Sequence, residues 1–279
     1  MFPDYLTIPA DRLGADQTVK VTIDGDKDSL ARHMALAILD ELRQGQARGN
    51  GATLILPVGP VDQFPILAEM LNAAKLSIRE TVIINMDEYM TDDDQWIPAD
   101  HPLSFRGFMD RLFYSRLNPE LAPPLENRVY PDPNDCNAIG ELIEKRGGVD
   151  ACFGGIGING HMAFNEPPEP GETVATDAFA ALPTRNLTLS RETRTINSVT
   201  VGGEGAIIPH RAVTVGMKEI LGAKRCRFYC NRLWQSAVVR RVLHGPITAA
   251  CPASLLRTHS DASLTVTDYV AEPPDIMLR

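Results

Sequence analysis

The sequence predicts an α/β fold: a doubly wound, mostly parallel sheet with helices on both faces. Three observations predict it. Short apolar or β-branched runs that end at glycine or polar residues recur along the chain. Between them lie longer stretches with a 3.6-residue hydrophobic period. Three of the runs end in loops with glycine or carboxylate residues, PVGPVD, NMDEY and GIGINGH. Ligands of open α/β sheets bind beyond the carboxyl ends of strands, so these loops point to one crevice in a Rossmann-like layout.

In chain order, TVKVTI (18–23) is the first strand, followed by a helix over 27–46 with Leu30, Met34, Ile38 and Leu42 on one face. ATLILPVG (52–59) and TVIINMD (81–87) are continuous apolar runs, the mark of parallel strands covered on both faces. Helical periods occupy 62–76, 103–116 and 135–147, after which DACFGGIG (150–157) supplies the next strand. The stretch PPEPGETVATDAFAALPT (167–184) has no period and reads as a surface loop, a candidate lid over the crevice. RAVTVGM (211–217) and RCRFYC (225–230) complete the sheet, with a last helix over 232–243. The whole chain, 1–279, reads as a single domain without internal repeats.

Composition narrows the partners. The chain has 279 residues, 44% of them hydrophobic, enough for a sizeable core. A net charge of -9 without a basic block argues against nucleic acid and against a polybasic membrane contact, leaving small molecules. Neither a membrane-spanning run nor a secretory pattern is visible, so a cytoplasmic location is expected. The five cysteines are odd in number and scattered; Cys226 and Cys230 would share one face of a strand, a weak basis for metal or redox chemistry.

Candidate chemistry sits at two strand ends. Asp87 and Glu88 follow the run VIIN, where a carboxylate of tuned pKa could act as a general base. Strand alternation points the two side chains in opposite directions, and the competing role for either is to cap a helix or bind a backbone amide. In GGIGINGHMAFNEP (154–167), His161 could shuttle a proton and Glu166 could orient or charge it. The glycines do not form a G-x-G-x-x-G pattern and the histidine lacks the H-E-x-x-H spacing, which argues against a dinucleotide site and a zinc hydrolase.

These same segments resemble the glucosamine-6-phosphate deaminase/isomerase family. LPVGP (56–60), NMDEY (85–89) and GGIGINGHMAFNEP carry the resemblance, with weaker similarity through SFRGFMDRLF (104–113), TRTINS (193–198) and VTVGMKEIL (213–221). The resemblance implies ring opening of an amino sugar, proton transfer between C2 and C1 through an enolamine, and release of ammonia to leave a ketose. No metal or redox cofactor is implied. Carried over residue by residue, Asp87 is similar to the family's base, His161 to its ring-opening acid/base and Glu166 to the carboxylate partner. Gly59, Pro60, Gly155 and Gly157 would border the sugar. Members of the family often form oligomers, so a homo-oligomer is an expectation the sequence leaves open.

The chain departs from the family pattern at two places. Asn159 stands where the family has Asp; an amide can hold an imidazole by a hydrogen bond but lends it no full charge. In the phosphate loop Val58 and Val61 replace hydroxyl residues, Pro60 has no N–H and Asp62 adds negative charge. Val199 and Gln235 occupy positions at which the family carries cations, leaving Arg194, Arg232 or Lys218 as substitutes. The expected substrate is therefore a sugar without the usual 6-phosphate. A non-catalytic sugar-binding or regulatory homologue and a sugar lactonase are the alternatives.

Overall fold

A computed structural model describes residues 2–277. In chain order the regular elements are β1 (Lys20–Asp24), α1 (Lys27–Arg48), β2 (Thr53–Leu56), α2 (Gln63–Ala74), β3 (Val82–Asn85), β4 (Asp87–Met90), α3 (Phe105–Leu112), β5 (Arg128–Val129), α4 (Asn137–Arg146) and β6 (Ala151–Gly154). They continue with α5 (Thr176–Ala180), β7 (Arg185–Thr188), α6 (Arg191–Ser198), β8 (Arg211–Thr214), α7 (Met217–Leu221), β9 (Cys226–Cys230), α8 (Gln235–His244), β10 (Ala262–Thr267) and α9 (Asp268–Ala271).

Seven strands form one parallel sheet in the order β1-β10-β9-β6-β2-β3-β5. From β2 the chain winds outward through β3 to β5, returns to β6 on the other side of β2, and winds outward again through β9 and β10. The reversal between β2 and β6 is the switch point at which a crevice opens beyond the strand ends. β2, β3 and β6 are buried along their whole length, as their continuous apolar sequences require. Alternate side chains feed the two cores: Ile55, Ile84 and Cys152 on one face, Leu54, Leu56, Ile83 and Phe153 on the other. On the second face α1 buries Leu30, Met34, Ile38 and Leu42, each contributing about 1.5–3 kcal/mol. Cys226 and Cys230 share the first face of β9.

Two readings of the sequence need correction. RAVTVGM does not join the parallel sheet: β8 lies between β4 and β7 in a separate three-stranded antiparallel sheet. TVIINMD is not one strand either, because the chain changes sheets at Met86. The Met86 N–H donates to the Leu56 carbonyl at 3.0 Å, while its own carbonyl accepts the Val215 N–H at 2.7 Å. Burial explains both misreadings: Ala212 and Val213 are as fully enclosed as the central parallel strands, so their pattern cannot tell one sheet from another.

β5, β7 and β10 have no counterpart in the sequence reading. β10 interleaves Ser263, Thr265 and Thr267 with Leu264 and Val266, which dilutes its apolar signal although Thr265 and Thr267 are buried. The expected loop over 167–184 contains α5, whose Phe179 packs into the core, whereas residues 169–175 are exposed. Among the described residues no helix is long and apolar enough to cross a membrane.

Candidate active site

The switch at Met86 aims Asp87 away from the parallel sheet, as the first residue of β4. It pairs with Thr214, whose hydroxyl accepts the Phe164 N–H at 3.1 Å. Asp87 and the glycine-rich segment that holds His161 therefore share Thr214 as a neighbour. The Asp87 side chain is 7% exposed. Burial, with the charge of Glu88 adding to it, pushes its carboxyl up to about 8. A carboxyl poised there alternates between acid and base near neutral pH.

Glu88 takes the other role anticipated for this pair. It is fully buried and its oxygens accept hydrogen bonds from the backbone N–H groups of Tyr89 (2.9 Å), Phe105 (3.0 Å) and Arg106 (2.9 Å). The Ser104 hydroxyl (2.9 Å) and the Arg106 Nε–H (3.3 Å) complete the set. Five donors occupy both oxygens, and two of the N–H groups open α3, where an anion also complements the helix dipole. Glu88 is a catalytic candidate by sequence; in the fold its oxygens are engaged by donors that anchor α3.

Residues 159–166 form the second half of the site. Asn159 Oδ1 lies 2.9 Å from His161 Nδ1 and accepts the His161 backbone N–H at 3.2 Å. Asn159 Nδ2 donates to Glu166 Oε2 at 2.7 Å. These contacts fix the orientation of the amide, and an acceptor facing Nδ1 places the neutral ring's proton there, leaving Nε2 as the basic nitrogen. Among the described residues Nε2 has no hydrogen-bond partner. A Cβ at Gly157 would overlap the His161 ring, so only glycine permits this packing. The amide thus does what the imidazole needs sterically: it holds the ring and ties it to Glu166, whose Oε2 is 3.4 Å from Nδ1.

Sequence reasoning missed two members of this arrangement, Ser190 and Thr193. Ser190 caps α6 by accepting the Thr193 N–H, and its hydroxyl donates to Glu166 at 3.1 Å. Thr193 Oγ1 is 3.2 Å from His161 Nδ1. The stretch SRET does carry a helix-cap signature, but nothing local shows that the cap faces Glu166. Burial alone would push the Glu166 carboxyl up; the hydrogen bond and charge of His161, with Asn159 and Thr193, outweigh it and hold the carboxyl at about 2.

A depressed carboxyl pKa contributes stability that is present above the unfolded value, roughly 4.3, and disappears as pH falls through the folded one. Glu166→Gln should lower stability near pH 7 by about 3 kcal/mol, with the difference from wild type closing as pH falls toward about 2. Chemical denaturation at stepped pH checks this. Asn159→Asp replaces a donor by a carboxylate oxygen 2.7 Å from Glu166 Oε2. The like charges should move the Glu166 carboxyl upward, a shift readable by carbon NMR titration.

The anticipated binding residues divide. Gly59 is exposed and precedes Pro60 in a cis peptide; the Pro60 carbonyl accepts the Gln63 side-chain N–H at 2.8 Å. Gly155 packs on this loop, since a Cβ there would come within 2.8 Å of the Gly59 carbonyl. The β2 and β6 loops thus touch across the switch point. Gln235 donates to the Ile156 carbonyl at 2.7 Å and accepts the Arg232 N–H at 2.7 Å, so it braces the β9 loop. Val199 is 67% exposed. Arg194 lines a cleft beside α6 with Arg191, Thr195, Ser198, Gly203 and Gly205.

No family model matches the chain. It is 27% identical over 249 residues to the glucosamine-6-phosphate deaminase of Caenorhabditis elegans, covering 88% of each chain. With the glucosamine-6-phosphate deaminase of Shewanella loihica it shares 30% identity over 260 residues, 91% of this chain and 89% of that one. The chain belongs to the glucosamine-6-phosphate deaminase family. The solved structure of a monomeric glucosamine-6-phosphate deaminase matches this member with a TM-score of 0.77 at 25% identity, over 91% of this chain and 99% of that one. A 6-phosphogluconolactonase from Trypanosoma brucei matches with a TM-score of 0.66 at 15% identity, over 92% and 98%, which is a likeness of fold. The glucosamine-6-phosphate deaminase family is thus the frame in which the site is read, and its members are enzymes.

Proposed function

We propose that the protein is a sugar isomerase/deaminase that moves a proton between C2 and C1 of an amino sugar, or a related polyol sugar, lacking the usual 6-phosphate. The observation that carries this reading is the pairing of a buried carboxyl poised at about 8 with a histidine whose Nε2 is left free by the Asn159–Glu166 bridge.

The roles follow from the geometry. His161 Nε2 takes the proton of the anomeric hydroxyl and returns one to the ring oxygen, opening the sugar. Glu166, kept ionised, faces the charge that the ring gains in that step. Asp87 removes the C2 proton and delivers it to C1 through an enolamine. Water then adds to the C2 imine and ammonia leaves, so sugar plus water gives ketose plus ammonia; with a hydroxyl at C2 the same proton transfer is an isomerisation. Burial, and the lack among the described residues of a hydrogen-bond donor to its carboxyl, support Asp87 as the base.

The same reading covers the phosphate end. Pro60 offers no N–H, Val58 and Val61 offer no hydroxyl, Asp62 adds negative charge, and Gln235 is occupied with the backbone. Each lost charge-assisted contact costs about 1.5–3 kcal/mol, so several together disfavour a phosphate by orders of magnitude.

Turnover in heavy water tests the chemistry. Transfer by Asp87 should leave solvent deuterium at C1 of the product, because a carboxyl proton exchanges with solvent between turnovers, whereas a direct hydride shift carries none. A lactone hydrolysed without any isomerisation, or a ketose formed with no deuterium from solvent in repeated trials, would contradict it.

A further inference from the structure

The arginines of α6 define a second site. The helix presents two faces, separable at about 100° per residue. Ser190, Thr193 and Asn197 face the catalytic machinery, bonded to Glu166, His161 and the Tyr89 hydroxyl in that order. Arg191, Thr195 and Ser198 fall about 80–160° around the helix from these and Arg194 about 40–100°; the four line an open cleft of about 380 Å³ with Gly203 and Gly205. No acidic side chain lines it.

Its two cations lack partners. Neither Arg191 nor Arg194 forms an ion pair among the described residues. The Nε of Arg194 is buried with no acceptor, an uncommon state for a guanidinium nitrogen in a folded protein. A Cβ built at Gly203 or at Gly205 would meet nothing within 4 Å, so the floor of the cleft is bare backbone with room above it. Two guanidiniums without an ion pair suit a tetrahedral or planar oxyanion held by parallel hydrogen bonds. The cleft volume is that of a small-molecule site.

We propose that this cleft binds the phosphate of a small metabolite, or the free ion, at a site distinct from the sugar crevice. The inference goes beyond the proposed sugar reaction and does not depend on it. α6 is the shared element, holding Glu166 and His161 on one face and the anion on the other.

Calorimetric titration of the intact protein with inorganic phosphate and with glycerol 3-phosphate tests it without turnover. Both should bind. Tighter binding of the organic phosphate would identify a metabolite as the occupant, and equal binding the free ion. Arg194→Gln should weaken both by at least about tenfold. Arg191→Gln alters an exposed side chain and should do the same while preserving the circular dichroism spectrum. Gly205→Glu, which places a carboxylate in the cleft, should abolish binding. Failure of both probes to bind, affinity unchanged in Arg191→Gln and Gly205→Glu, or displacement of phosphate by an unphosphorylated sugar turned over by the enzyme would each overturn the proposal. The last result would place the anion in the sugar crevice.

Discussion

Asp87→Asn is expected to abolish turnover while leaving a folded protein that is more stable than wild type above pH 8. Loss of a positioned base costs roughly 10²–10⁴-fold in rate. The stability effect has a definite sign. The Asp87 carboxyl titrates at about 8 when folded, against roughly 3.9 when unfolded. Between those values the folded state binds the extra proton, so stability declines as pH rises through that window. Above pH 8 the wild type carries a buried, ionised carboxylate beside Glu88 and the variant does not. Below pH 4 the two proteins should differ little. Thermal denaturation at stepped pH, together with a turnover assay, gives both halves of the result. A variant that is inactive because it is unfolded would contradict the role given to Asp87.

Glu88→Ala should behave in the opposite way. It leaves the backbone N–H groups of Tyr89, Phe105 and Arg106 and the Arg106 guanidinium without their acceptor at a fully buried position. Removing one partner of such a buried network costs about 3–5 kcal/mol, a fall in Tm of about 10 °C for a chain of this size. Glu88→Gln keeps an acceptor oxygen and should recover part of the loss, with turnover per folded molecule far above that of Asp87→Asn. These results would separate the two adjacent carboxylates, the proposed base at Asp87 from the anchor of α3 at Glu88. A Glu88→Gln protein as stable as wild type and as inactive as Asp87→Asn would reverse that assignment.

The contrast between these neighbours marks how far the sequence could be read. Alternation along a strand implied that Asp87 and Glu88 diverge, but nothing within NMDEY says which side holds substrate. The answer lies some fifteen residues away, in the Ser104 hydroxyl and the N–H groups of Phe105 and Arg106 that close on Glu88, and in the sheet change at Met86 that redirects both. Continuous burial announced β2, β3 and β6 plainly, because parallel strands covered on both faces leave that pattern. It hid the antiparallel sheet of β8, whose residues are equally buried against different partners. At the site, spacing brought Asn159, His161 and Glu166 into one loop, and the structure bonds all three. Ser190 and Thr193 were out of reach for the same reason as Ser104: their partners are remote in sequence, and a cap signature does not name what the cap faces. Arg194 carries a charge that the sequence could assign to the sugar, and in the fold it lines the cleft beside α6 with Arg191.

The central claim is a proton-transfer site joined to a recognition end that disfavours phosphate. It is tested most directly by measuring ammonia release and ketose formation from glucosamine and from glucosamine 6-phosphate, with galactosamine and non-amino aldoses alongside. The account predicts a larger kcat/KM for an unphosphorylated sugar, lost in Asp87→Asn. Efficient turnover of glucosamine 6-phosphate in preference to every unphosphorylated sugar would contradict it.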